Sequence, residues 1–214
     1  PPAARGWQAT TQEDLPEEAP AAASPPSLRV IGALTGRYLL LEASDGLVLL
    51  DPRAARERIL YERFLGNVEE GRIESQGLLV PVLVELDARD ADVVVRNAEN
   101  FREAGMEVES FGGVTMQLRG LPAMLSGADA KALLLDLVDA LVHTEGGARG
   151  KALTFEKFAA GLARVGAKGE PCRTEGARPL LDELFACDLP YCTPDGHPTI
   201  VQLSDSELAR KFGK

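Results

Sequence analysis

The sequence predicts an α+β fold, a mixed sheet with flanking helices. Three observations carry this. Aliphatic strand-like runs gather between Leu28 and Leu50, amphipathic helical stripes recur from Pro52 onward, and the two kinds of element alternate without a regular βαβ repeat. The 214 residues are enough to bury a core without staples. With 23 basic and 33 acidic residues, the net charge of −10 argues against a free-standing nucleic-acid binder. No apolar run approaches the ~20 residues of a membrane span, and no signal sequence opens the chain. Cys172, Cys187 and Cys192 have no paired spacing, which points to a reducing, cytoplasmic setting. With no CxxC and only His143 and His197, a zinc site built from Cys and His alone is not expected.

Residues 1–27 hold six of the 14 prolines and almost no aliphatic residue, so they read as a disordered Pro/Ala-rich linker, with something expected upstream of it. LRVIGALT and RYLLLEA read as strands, and the Asp45-Gly46 pair before LVLLD as a hairpin turn. Leu39–Leu41 and Leu47–Leu50 are apolar on both faces, so both faces should be covered, by helices or by another subunit. Pro52 near the start and Gly66 just past the end bound a helix of about 14 residues, with Ala55, Ile59, Leu60 and Phe64 inward. QGLLVPVLVELD reads as a loop entering a strand.

Ala88 to Ala104 reads as one helix with Val94, Val95, Ala98 and Phe101 inward. MEVESFGG and VTMQLRGLP are strands joined at Gly112-Gly113. Ser126 is expected to cap a helix through Val142, whose leucine stripe is core rather than a cofactor box, and His143 then serves as a last-turn cap. Gly146–Gly150 lacks the ending of a phosphate loop and reads as a hinge. Helices follow at Lys151–Val165 and Arg178–Cys187, then a turn-rich loop at Pro190–Pro198 and a strand at Thr199–Leu203. A last helix is opened by a Ser204/Glu207 capping box. Arg149, Lys151, Lys157, Arg164 and Lys168 form a basic run, read as a solvated helix face or as a weak DNA contact.

Two segments together resemble a known family. DPRAARERILYE at 51–62 is similar to DQHAAxERxxYE, and YCTPDGHPTIVQLSDSELARKFGK at 191–214 to FTCPHGRPTxxxLSxxELxxxF, in the same order and separation. Leu28 to Lys214 thus resembles the C-terminal dimerisation domain of MutL mismatch repair proteins. The resemblance implies a dimerisation subdomain from 28–75 and 144–214 and an external, regulatory subdomain from 76–143. It implies a homodimer tethering upstream ATPase domains, where ATP and Mg belong, with no cofactor in this domain. It further implies contacts with the replication sliding clamp and a mismatch-recognition protein.

Nuclease members of that family hold a divalent metal with a His and a Glu four apart on the first helix, a Cys of an ACR-type motif, and the Cys and His of CPHGRP. Here the first His position is Arg53, Thr193 and Asp195 stand at the CPHGRP positions, and no Cys is available near Gly161 or Leu162. A guanidinium stays protonated and cannot ligate a metal. Four nitrogen or sulfur ligands are therefore missing together. The expectation is no catalytic residue and no metal, but a relic site in which Arg53 pairs with Glu57. The alternative is a metal-dependent nicking endonuclease with altered ligands, rebuilt from Glu57, Cys192, Asp195 and His197 beside Asp51. Gln76-Gly77-Leu78-Leu79-Val80-Pro81 matches the clamp-binding form Q-x-x-[LI]-x-P, with Gln76, Leu79 and Pro81 as anchors; it is equally a plain strand entry.

Overall fold

Among the described residues every strand pairing is antiparallel, and the strands form two separate sheets where a mixed sheet was expected; the α+β class stands. The structure, a computed structural model, describes residues 28–71, 74–143, 153–168 and 173–214. The 1–27 linker, the 146–150 hinge and Cys172 lie outside the described residues.

The first sheet comprises β1 (Arg29–Leu34), β2 (Tyr38–Ala43), β3 (Gly46–Leu50) and β7 (Ile200–Ser204), in that order. The Asp45-Gly46 hairpin is present, and Gly46 is forced to be glycine. Its φ is +149°, and a Cβ there would stand 2.2 Å from the Leu203 carbonyl oxygen. The second sheet runs β4 (Ser75–Glu85), β6 (Thr115–Pro122), β5 (Glu107–Gly112). The helices are α1 (Pro52–Glu69), α2 (Ala88–Arg96), α3 (Ala98–Glu103), α4 (Ala130–His143), α5 (Phe155–Gly166), α6 (Ala177–Phe185) and α7 (Asp205–Lys211).

Alternation sorts the two-faced strands. Leu39, Leu41, Val48 and Leu50 point inward against Ala55 and Ile59 of α1 and Ala177, Leu180, Leu181 and Leu184 of α6. Leu40, Leu47 and Leu49, on the other face, stay half-exposed in the single chain. A larger second core joins Val84, Met116 and Leu118 of the second sheet to α2–α5 and to Leu60 and Phe64 of α1. At its centre Phe101 and Phe158 meet edge to face at 4.8 Å. Helix α1 therefore serves both cores, and α5 packs with the second sheet.

Several expected boundaries move, each for a local reason. Helix α1 runs through Gly66 and stops at Gly71, whose φ is +67°. Packing of the flanking Phe64 and Leu65 outweighs the ~1 kcal/mol that glycine costs a helix. The expected single helix at 88–104 breaks at Asn97, whose side chain is taken up by tertiary bonds. Its Nδ2 donates to the Val93 carbonyl (2.8 Å), and its Oδ1 accepts from Leu153 N (2.9 Å) and Asn100 Nδ2 (3.2 Å). The break turns Val95 outward, 57% exposed, and leaves Ala98 exposed, while Val94 and Phe101 are buried as expected. The cap of α4 is Asp129, which accepts from Ala132 N at 2.8 Å, while Ser126 ends a short 3-10 turn instead. QGLLVP is not a loop but lies within β4. The Ser204/Glu207 capping box is present.

Candidate functional site

The two segments that carried the resemblance meet in space, along α1 and the loop between α6 and β7. Asp51 begins the site. Its Oδ1 caps α1 by accepting from Arg53 N (2.9 Å) and Ala54 N (3.2 Å), and its own N donates to the Thr199 carbonyl at 2.9 Å. The start of α1 is thereby tied to the start of β7. Helical spacing then lines up Arg58 and Glu62, one turn apart, toward the loop. Buried Arg58 donates from Nε to the Cys192 carbonyl (2.6 Å) and from Nη2 toward Cys192 Sγ (3.6 Å), and pairs with Glu62 at 3.4 Å. Glu62 accepts the amides of Asp188 (2.8 Å) and Leu189 (3.2 Å).

The loop closes on itself as well. Thr193 N donates to the His197 carbonyl at 2.7 Å, and Thr193 Oγ1 accepts from His197 N at 3.1 Å. Thr199 Oγ1 donates to the Pro190 carbonyl, and Cys192 forms an isolated bridge with Pro198. The hydroxyl at Thr193 is therefore committed to closing a turn.

Glu57 lies one turn before Tyr61 on the same helix and is only 7% exposed. The relic ion pair expected from Arg53 is instead made by Arg164, in the last turn of α5. Arg164 Nε lies 3.8 Å from Glu57 Oε1, and the same guanidinium pairs through Nη2 with Asp195. Arg53 is exposed and reaches Glu57 by its charge alone. The reason is geometric: α5 crosses α1 and delivers a long side chain across the gap, while Arg53 sits on the solvent side of the first turn. Burial pushes the Glu57 carboxyl above its ordinary value, opposed by the charges of Arg164, Arg53 and His197.

The rebuilt ligand set is not assembled. Cys192 turns to Arg58, Asp195 is held by Arg164, and His197 is exposed. Among the described residues, no group of three His, Cys, Asp or Glu side chains is placed to hold a metal ion. In this arrangement a guanidinium, which cannot ligate a metal, stands between the Glu57 and Asp195 carboxylates.

The described members of the basic run share one groove, set among acidic side chains. Lys157, Arg164 and Lys168 line a shallow groove of about 640 Å³ with Arg53, His143 and Asp195, and Lys168 pairs there with Asp136 at 2.8 Å. Arg149 and Lys151 lie outside the described residues. His143 Nδ1 donates to the Asp139 carbonyl at 2.7 Å, as a last-turn cap does. Sequence reasoning placed Arg164 only in the basic run and missed its pairing, because nothing in the spacing of α5 announces a partner 107 residues earlier at Glu57.

The clamp-type hexapeptide lies on a sheet edge. Gly77 pairs with Gly120 and Val82 with Leu118, so Leu78–Pro81 bulge out opposite the single residue Arg119. Gln76 and Pro81 are exposed, Val80 is 73% exposed and Leu79 is fully so, at 104%. No described helix is long and apolar enough to cross a membrane.

The family model described as MutL C terminal dimerisation domain matches residues 31–168. Among curated proteins, the chain is 42% identical over 183 residues to a DNA mismatch repair protein MutL of Akkermansia muciniphila, covering 86% of this chain and 29% of that protein. It is 37% identical over 209 residues to one of Opitutus terrae, covering 94% and 33%. A third, of Pelotomaculum thermopropionicum, is 36% identical over 203 residues, again covering 94% and 33%. The chain spans about a third of the length of the curated relatives it matches.

Proposed function

The chain belongs to the MutL C-terminal dimerisation family, and on that premise we propose that it acts in DNA mismatch repair as the module that joins two copies of its protein. The observation that carries this is the outer face of the first sheet. Cross-strand partners share a face, so Leu40, Leu49 and Val201 form one row and Leu47 and Leu203 continue a second beside Glu42. The Tyr38–Leu34 pair lies on the same face, one row beyond the first. Val201 is 49% exposed and the leucines of β3 are half-covered, on a face opposite the one that α1 and α6 fill. An apolar sheet face that its own chain leaves open suits a second copy. Stable homodimer seams bury ~2,000 Å² or more and are apolar at the centre.

Joining two copies gives a tether. ATPase arms upstream, in the cytoplasm, would meet at high effective concentration and close within one dimer. The lost metal ligands make this domain non-catalytic, with Arg164, Thr193 and the turned-away Cys192 supporting that reading over the nicking endonuclease. The bulge at Leu78–Pro81 supports a sliding-clamp contact, because the aliphatic anchors already stand clear of the sheet and need little ordering on binding. A mismatch-recognition protein is the further partner, and DNA contacts through this domain are weak.

Sedimentation is the deciding experiment. The wild-type chain is expected to be a dimer at micromolar concentration, and Leu47→Arg with Leu49→Arg a folded monomer. A monomeric wild type, or a double variant that still dimerises, removes the proposal. For the clamp contact, Gln76→Ala with Leu79→Ala should lose at least ten-fold in affinity, read by pull-down or biosensor; undiminished binding refutes it. Mn- or Zn-dependent nicking of supercoiled DNA that vanishes in Glu57→Ala would establish the endonuclease instead.

A further inference from the structure

We propose that the guanidinium of Arg164 is a built-in structural cation, which holds the Thr193–His197 turn against α1 by pairing with Glu57 and Asp195 at once. The inference deepens the non-catalytic reading of the site and rests on it. Three elements distant in the sequence meet at this one group: α1 brings Glu57, the last turn of α5 brings Arg164, and the turn after α6 brings Asp195. Asp195 stands where the resemblance places a metal-binding histidine, and Glu57 where it places a metal-binding glutamate. A positive centre between these two positions is what a divalent ion would supply. A guanidinium supplies it with a planar fork, Nε toward one carboxylate and Nη2 to the other.

The position of that fork is fixed from two sides. At the start of α5, Asn97 and Asn100 hold both the amide and the carbonyl of Leu153, each at 2.9 Å. Along the helix, fully buried Phe158, Ala159 and Leu162 lock its rotation against the second core. On the other side, Glu57 is nearly buried and its charge needs a partner. Arg53 does not serve, since its guanidinium lies on the exposed side of α1.

The test is thermal unfolding of the whole chain. Arg164→Ala strands the buried Glu57 carboxylate, while Asp195, 40% exposed, turns to water, and should lower the midpoint by roughly 3–6 °C. Adding Glu57→Gln and Asp195→Asn to that variant removes both charges and should recover most of the loss. The wild-type midpoint should not move with chelator, Zn²⁺ or Mn²⁺. A triple variant no more stable than Arg164→Ala would mean that Arg164 acts through packing, and would overturn the proposal. A wild-type midpoint that rises by several degrees with Zn²⁺ or Mn²⁺ would overturn it too. If Arg164→Ala does not fold, the triple variant decides alone: a near-wild-type midpoint supports the cation, failure to fold overturns it. Sedimentation is a separate readout, so a monomeric wild type would sink the seam and leave these outcomes standing. Nicking by the wild type would remove the non-catalytic reading whatever the midpoints do.

Discussion

At the scale of single residues, the 51–62 segment is mostly a holding device. Asp51, Arg58 and Glu62 each spend their polar atoms on backbone groups of the cap or of the 188–199 loop. Arg58 also lies 5.5 Å over the Tyr61 ring. Glu62 has a second effect. Burial first, and the Glu62 charge next, push the Cys187 thiol up to about 12. A thiol whose folded value lies above its ordinary 9.0 favours the folded state below that pH. That advantage is lost as pH rises from 9.0 to about 12, so alkali should destabilise the fold in that window. Alkylation of Cys187, followed by mass spectrometry, should therefore stay slow at pH 8.5. Glu62→Gln removes a charge that raises the thiol and should speed the reaction several-fold; an unchanged rate would show that burial alone protects the sulfur.

At the scale of elements, the break between α2 and α3 is the feature on which the placement of α5 depends. Asn97 is 2% exposed and satisfies its own amide while holding Leu153, so it sets where α5 begins. Asn97→Ala leaves the Leu153 amide without its partner, and should cost about 1–3 kcal/mol in urea unfolding. A loss below about 0.5 kcal/mol would mean that other groups or water replace it. The bulge in β4 works in the opposite sense. It gives up ladder bonds at Leu78–Pro81 and leaves the edge unable to continue as a flat strand, which protects it from casual pairing.

At the scale of the whole molecule, two cores share α1, one under each sheet. The smaller core covers one face of the first sheet only, and the proposed seam covers the other. Stability of such a dimer depends on protein concentration. The thermal midpoint of the wild type should thus rise with concentration, and that of Leu47→Arg/Leu49→Arg should not. A concentration-independent wild type would count against the seam.

The sequence by itself determined the α+β class, the Asp45-Gly46 hairpin, the Ser204 capping box and the family, because each rests on short-range patterns of turn chemistry, periodicity and spacing. It also placed Arg53, Thr193 and Asp195 at positions where the nuclease pattern has His, Cys and His. Only the tertiary structure decided that Arg164 rather than Arg53 pairs with Glu57, that Asn97 breaks a helix, and that Leu79 stands free on a bulge. Each of these turns on a partner dozens of residues away or on the register of a neighbouring strand, and no local window of sequence encodes where a crossing helix will deliver a side chain.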